Sequence, residues 1–260
     1  MIEFLIILLA GLGAGIATGL VGASAVVIAA PILIAFLGYT PYQAIGISLA
    51  TDVLASLVAA NNYNSRRNLD LKKALIIAVF AMIGAFTASV LSVDIPSTFL
   101  AIITGLVISI TGITFITAPV SKRTKQFNKY VNVSFLKKHK TFSLVLFGLL
   151  IGIICGLFGA GGGVTILLFL LFIFDMQIHK AIGTSVLIMA FTALSGAIGH
   201  FLHAFPWQAV IIGSVGGAIG AYFASRYSNM AADKKLGKIL GVVFFIMGLI
   251  LIIKQLTIFF

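Results

Sequence analysis

Apolar residues do not alternate along this chain; they run in long unbroken blocks. No Lys or Arg occurs from Met1 to Ser65, and no charged residue from Thr141 to Phe174. A helix needs about 20 apolar residues to cross a bilayer, so each stretch can hold more than one crossing. Continuous runs predict membrane helices rather than the short alternating strands of a barrel. Segments fall at 2–20, 24–37, 42–63, 72–91 and 97–117, then at 141–159, 163–174, 178–203, 207–225 and 234–258. Segments 24–37 and 163–174 reach only about 18–21 Å, less than the roughly 30 Å hydrocarbon core. Each follows a small-residue break, Gly22-Ala23-Ser24-Ala25 and Gly159-Ala160-Gly161-Gly162-Gly163. Each half is therefore expected to start with a helix, a turn and a short helix. That unit is either a pair of crossings or a hairpin that dips in and returns.

The two breaks belong to an internal repeat at an offset of 137 residues. Gly11, Gly15, Gly19, Leu20, Gly22 and Ala23 match Gly148, Gly152, Gly156, Leu157, Gly159 and Ala160. Further on, Ala44-Ile45-Gly46 and Ser48 match Ala181-Ile182-Gly183 and Ser185. Helix packing alone can enrich small residues, but two blocks at one offset predict a duplication. The units are a first repeat at 1–117, a linker at 118–140 and a second repeat at 141–260.

Composition agrees with the pattern. The 260 residues are 61% apolar and 9% charged, with a mean hydropathy of +1.21. A soluble domain is about 25% charged. The net charge of +11 does not imply nucleic acid, because basic loops of a membrane protein mark its cytoplasmic side. Those loops also set orientation. The loop after the third segment is basic in the first half (Arg66, Arg67, Lys72, Lys73), whereas its equivalent at His203–Trp207 has no Lys or Arg. The loop after the fourth segment is the reverse: 92–96 carries only Asp94, and 226–238 carries Arg226, Lys234, Lys235 and Lys238. Equivalent loops have exchanged their bias. The expected fold is therefore all-α, a polytopic transmembrane bundle of two inverted-topology repeats with broken or hairpin helices near the start of each. Each half then crosses an odd number of times, five if the short segments cross and three if they are hairpins. An outside N-terminus puts all but Lys254 of the 17 basic residues inside, the linker among them. The first residues lack a basic region, so the first helix is expected to be retained rather than cleaved.

The breaks are the strongest candidate chemistry. Each precedes a short helix, whose free N–H groups and positive dipole end attract an anion. Gly22, Ala23, Ser24 and Ala25 with Gly159, Ala160, Gly161, Gly162 and Gly163 would then form one site near the midplane. Ser48 and Ser185, repeat equivalents, are expected to line it. Asp52 is the only acidic residue in the middle of a long segment, and intramembrane carboxylates are costly and often functional. It is a candidate proton carrier, as is His200; the alternative for Asp52 is a structural hydrogen bond. Met189 is its repeat partner. Trp207, Tyr39, Tyr42 and Tyr63 read as interface anchors. Cys155, the one cysteine, has neither a disulfide partner nor a metal-ligand neighbour. No phosphate loop, paired carboxylate site or metal motif occurs, so neither an enzyme nor a cofactor is expected.

These residues resemble a known family. The pattern G-x-G-x-G-x-x-x-G-x-x-G-A from Gly11 to Ala23, followed by Pro31, is similar to the N-terminal signature of the TauE/SafE sulfite and organosulfonate exporters. Gly156-Leu157-Phe158-Gly159-Ala160-Gly161-Gly162-Gly163 looks like its second copy, and the blocks at 44–48 and 181–185 also fit. The first copy departs at Ala23-Ser24-Ala25, where glycines are common. The resemblance implies export of small sulfur anions (sulfite, sulfoacetate or other organosulfonates) driven by an ion gradient; the expected protein is a secondary exporter in a prokaryotic plasma membrane, working by alternating access, with Asp52 the candidate for coupling to protons. Members are usually described as eight-helix permeases, whereas the charge pattern here implies odd, inverted halves. Two rivals stand beside this reading. One is an anion channel or uniporter, driven by about 2.3 kcal/mol per charge per 100 mV. The other is an intramembrane enzyme acting on an anionic lipid, which would need catalytic carboxylates or a Ser/His/Arg set, and no apolar segment carries an Arg. The expected partners are the sulfur anion and membrane lipids, not nucleic acid. The oligomeric state is left open, a homodimer included.

Overall fold

A computed structural model describes residues 2–117, 138–160, 162–202, 206–228 and 234–257, with the side chains of Lys140, of Ser228 and of 234–237 outside the description. Gly161, His203 and most of the 118–140 linker therefore lie outside the described residues. The fold is all-α, as expected. The first half comprises α1 (Ile2–Val21), α2 (Val26–Leu37), α3 (Pro41–Asn64), α4 (Leu71–Leu91) and α5 (Ser97–Thr117). The second comprises α6 (Lys140–Phe158), α7 (Gly162–Ile173), α8 (Ile178–His200), α9 (Trp207–Ser228) and α10 (Lys234–Leu256). Local chemistry sets the ends. Thr40 and Gln43 form a capping box before α3, and Asp70 accepts from Lys73 N–H to cap α4. Gly38, in the left-handed region, closes α2. Among the described residues eight helices are long and apolar enough to cross a membrane, and α2 and α7 are shorter apolar helices. Large apolar side chains such as Phe36, Val79, Ile110, Ile211 and Ile253 face outward, where lipid solvates them.

The halves pack into each other rather than side by side. Gly11, Gly15 and Gly19 of α1 rest on Gly213, Gly217 and Ala221 of α9. Their repeat equivalents Gly148, Gly152 and Gly156 of α6 rest on Phe80, Ala81 and Ala85 of α4. Small residues let these backbones touch, the usual basis of helix association in lipid. Numbers rise together in both pairs, so each is parallel. The third helices, α3 and α8, are antiparallel: Gly46 meets His200, Gly196 meets Leu49 and Gly183 meets Tyr63. So are the fifth helices, α5 and α10, where Gly105 meets Ile252 and Gly112 meets Phe245.

Helix α9 is also parallel to α3. Gly213 meets Thr51, and Asn62 Nδ2 donates to Tyr222 O at 3.1 Å. Hence α1 and α3 run the same way, and α2 carries the chain back between them. Tyr39, just after α2, donates to Glu3 at the start of α1. In the second half, Phe169 of α7 stacks on Phe147 near the start of α6. Each half thus has four long helices yet starts and ends on opposite faces, because the short helix reverses direction. The face of Glu3 and Tyr39 also carries Lys254. The opposite face carries Arg66, Arg67, Lys72, Lys73, Lys180 and Arg226. There the Asp70 N–H donates to Thr184 Oγ1 at 3.0 Å, and Asp70 pairs with Lys73 at 2.6 Å. Partial burial of Asp70 works to raise its pKa, but hydrogen bonds from Lys73 and the charges of Lys73 and Lys180 outweigh it and hold its carboxyl below the usual range.

The tight seams make a prediction. A Cβ at Gly152 would lie 2.9 Å from Ala81 Cα, whereas one at Gly13 meets only Ile28 Cγ2 at 3.5 Å. Gly152→Val should cost at least about 1–3 kcal/mol through overpacking, and Gly13→Val much less. Thermal unfolding in detergent checks the order, and equal midpoints would refute the close α4–α6 seam.

Candidate functional site

The first break forms because Gly22 takes a φ of +68° and ends α1; Gly159 ends α6 with a φ of +64°. Glycine adopts this region at little cost, and other residues strain there. The chain then turns through Ala23–Ala25 into α2. Asp52, from the middle of α3, lies against this turn. The Ala25 N–H donates to Asp52 Oδ2 at 3.0 Å. Ser56 Oγ donates to Oδ1 at 3.0 Å, and Thr18 Oγ1 lies 3.2 Å from Oδ1. Asp52, Ser56 and Thr18 are 0% exposed. Thr18 Oγ1 is also 3.1 Å from Ala14 O. Its single proton therefore serves an ionised Asp52, or turns to Ala14 O and leaves Thr18 to accept from a protonated one.

The remaining groups at the start of α2 are met internally. The Val26 N–H donates to Ser24 Oγ at 3.4 Å, and the Val27 N–H to Ser24 O at 3.2 Å. Free amides were expected at the first break; an internal carboxylate and a hydroxyl occupy two of them instead. The Asp52 carboxyl meets hydrogen-bond donors and the positive end of α2 rather than a basic side chain.

The two breaks meet. Ser24 Oγ donates to Gly159 O at 3.0 Å. A Cβ at Gly159 would lie 2.7 Å from Val26 Cγ2, and one at Gly163 would collide with the Gly22 carbonyl. Ala23, Ala25 and Ala160 are fully buried around this junction. At the second break, Cys155 and Met189 occupy the repeat positions of Thr18 and Asp52. Cys155 Sγ lies 3.9 Å from Met189 Sδ. A Cβ at Gly162 would lie 2.9 Å from Met189 Cε. Hence a carboxylate faces one short helix and a thioether the other. Gly161 lies outside the described residues.

The other candidates separate. A Cβ at Gly22 would lie 2.9 Å from Ser185 Oγ, so Ser185 borders the first break. Ser48 Oγ bonds its own helix at Ala44 O, 2.6 Å away. His200 stands away from Asp52, at the level of Gly46 on α3, about 9 Å along the helix by residue rise. Its Nε2 lies 3.0 Å from Gly156 O, and its Nδ1 is buried without a partner. Tyr63, at the repeat position of His200, donates to Gly19 O at 3.0 Å. Tyr63 is fully buried and Trp207 is 56% exposed; only the second has the exposure of an interface anchor. Thr18 escaped the sequence reading, although its offset to Cys155 in the repeat marked the position. Among the described residues no cluster of His, Cys, Asp or Glu could hold a metal ion.

The model of the family described as "Sulfite exporter TauE/SafE" matches residues 7–251. The chain is 25% identical over 240 residues to a protein named "Probable membrane transporter protein YdhB" from Bacillus subtilis (strain 168), covering 92% of this chain and 96% of that one. It is 26% identical over 242 residues to a "Probable membrane transporter protein" of Xylella fastidiosa (strain 9a5c), covering 88% and 87%. It is 23% identical over 264 residues to a second B. subtilis protein, "Probable membrane transporter protein YunE", covering 95% and 96%. No solved structure matches significantly.

Removing the carboxylate tests how α2 is held. Asp52→Leu leaves the Ala25 N–H and the Ser56 hydroxyl without their acceptor, at about 1–3 kcal/mol for each stranded group. Asp52→Asn keeps an acceptor of the same shape. Thermal midpoints should fall from parent to Asn to Leu; a Leu variant as stable as the parent would show that Asp52 does not hold the turn.

Proposed function

The chain belongs to the TauE/SafE sulfite exporter family, and from that premise we propose that it exports small sulfur-containing anions by alternating access, with Asp52 as the proton-coupling residue. It is a multi-pass prokaryotic membrane transporter, not an enzyme. The anions are sulfite, sulfoacetate or other organosulfonates. The site is the junction of the two breaks, Gly22–Ala25 with Gly159–Gly163, lined by Ser185 and Ser48. The observation that carries this reading is the meeting of two broken helices in fully buried protein, where Ser24 of one donates to the carbonyl of Gly159 of the other. Irregular backbone at this depth is tolerated where it is sealed by protein or lines a site.

We further propose that the halves are inverted repeats and that alternating access is rocking of one against the other. The antiparallel crossings of α3 with α8 and of α5 with α10 support this. So does the gathering of Arg66, Arg67, Lys72, Lys73, Lys180 and Arg226 on one face, which is cytoplasmic under the positive-inside rule. The N-terminus is then outside and the 118–140 linker inside.

Asp52 suits a proton carrier because Thr18 can serve both of its charge states. The titratable group facing it from α6 is Cys155; Thr18 on α1, Ser24 in the turn and Ser56 on α3 do not titrate. His200, beside α6 toward the outer face, is a second proton-carrying candidate.

Two measurements test this. Proteoliposomes loaded with sulfite should release it faster with the parent protein than without, and the rate should depend on pH. Gly163→Val should abolish efflux, and Asp52→Asn should flatten the pH dependence; an unchanged pH profile would end the coupling role. In cells, a cysteine at Ser97 should react with an impermeant reagent from outside and one at Ser228 only from inside. Labelling of both from one side would refute the orientation.

A further inference from the structure

Under the export reading, an anion should sit where a short helix begins. At α2 an anion already does: the Asp52 carboxylate, 0% exposed, takes the Ala25 N–H at 3.0 Å, the Ser56 hydroxyl at 3.0 Å and the Thr18 hydroxyl at 3.2 Å. One backbone N–H, two hydroxyls and a helix start make a built oxyanion pocket. Its donors are those that charge-assisted recognition of a carboxylate, sulfite or sulfonate oxygen would use. The repeat leaves the opposite pattern at α7, where Cys155, Met189 and Ala193 stand at the positions of Thr18, Asp52 and Ser56. Neither carboxylate nor hydroxyl survives there.

We propose that Asp52 is a tethered anion: it fills the oxyanion pocket at the start of α2, and the transported anion displaces it during the cycle. The proposal rests on the export reading. The exchange strands no donor, because an incoming oxygen takes over the Ala25 N–H and the Ser56 hydroxyl, and Thr18 has Ala14 O as its second partner. It also links binding to movement. The carboxylate that leaves belongs to α3, and the turn it releases touches Gly159 of the other half. Substrate entry therefore loosens α3 from α2 at the junction of the repeats.

Formate is the probe, being the smallest free carboxylate. Purified Asp52→Ala should gain thermal stability in formate, since formate fills the vacated pocket, while the parent and Asp52→Asn should not respond. The same formate response in all three proteins would overturn the proposal. If Asp52→Ala does not fold with or without formate, Asp52→Asn decides. It removes the competing charge and keeps the shape, so sulfite should bind it about tenfold more tightly than the parent, within the usual range of coupling between sites. Unchanged or weaker sulfite affinity would overturn the proposal. Failure of the export reading shows separately, as a parent protein that neither binds nor releases sulfite; the formate response involves no sulfite.

Discussion

Broken backbone in the middle of a membrane must find its hydrogen-bond partners inside the protein, since lipid offers none. The rest of this structure follows from that constraint. Each half breaks a helix at a glycine of positive φ, and each break is sealed by the other half. Ser24 closes on Gly159, Gly163 presses on the Gly22 carbonyl, and Ser185 borders Gly22. The glycine seams of α1 with α9 and α6 with α4 bring the two breaks close enough to do so. A helix–turn–short-helix unit, unstable alone in lipid, becomes tolerable once two of them interlock.

The repeat duplicates this frame but not its chemistry. Gly22 and Gly159 keep the same conformation, and Tyr63 and His200 reach equivalent carbonyls at Gly19 and Gly156. Around the turn itself, Thr18, Asp52 and Ser56 are answered by Cys155, Met189 and Ala193. Pseudo-symmetry lets the halves pack, and its local loss gives the junction a polar side and a sulfur-lined side. A symmetric pair of carboxylates would place two like charges at one buried junction, which is strongly unfavourable.

Much of the frame is legible in the sequence because lipid makes hydropathy a strict code. The apolar segments fall within three residues of the helix ends, the widest differences being α8, which ends at His200 rather than 203, and α9, which runs to Ser228 rather than 225. The site is less legible. That Asp52 caps Ala25 depends on α2 folding back against α3, a contact 27 residues long in sequence, and no local pattern announces it. Tyr63 reads as an anchor because it ends an apolar segment, yet it is fully buried between Asn68 of its own half, whose N–H donates to Tyr63 O, and Gly183 of the other. Ser48 and Ser185 look alike in the repeat and each donates to a carbonyl of its own helix, Ala44 O and Ile182 O, while Ser185 also borders Gly22.

The dependence of each break on the other half bears on how the protein is made. The first repeat leaves the ribosome with its turn at Gly22–Ala25 held only from within, by Asp52 and by Ser24, since Gly159, Gly163 and Ser185 do not yet exist. Insertion of α1–α5 therefore yields a half-finished molecule, with one surface waiting for the backbone of the second repeat. Completion is a late event that joins residues more than a hundred positions apart. A chain that ended before α6 would lack every second-half partner of its first break.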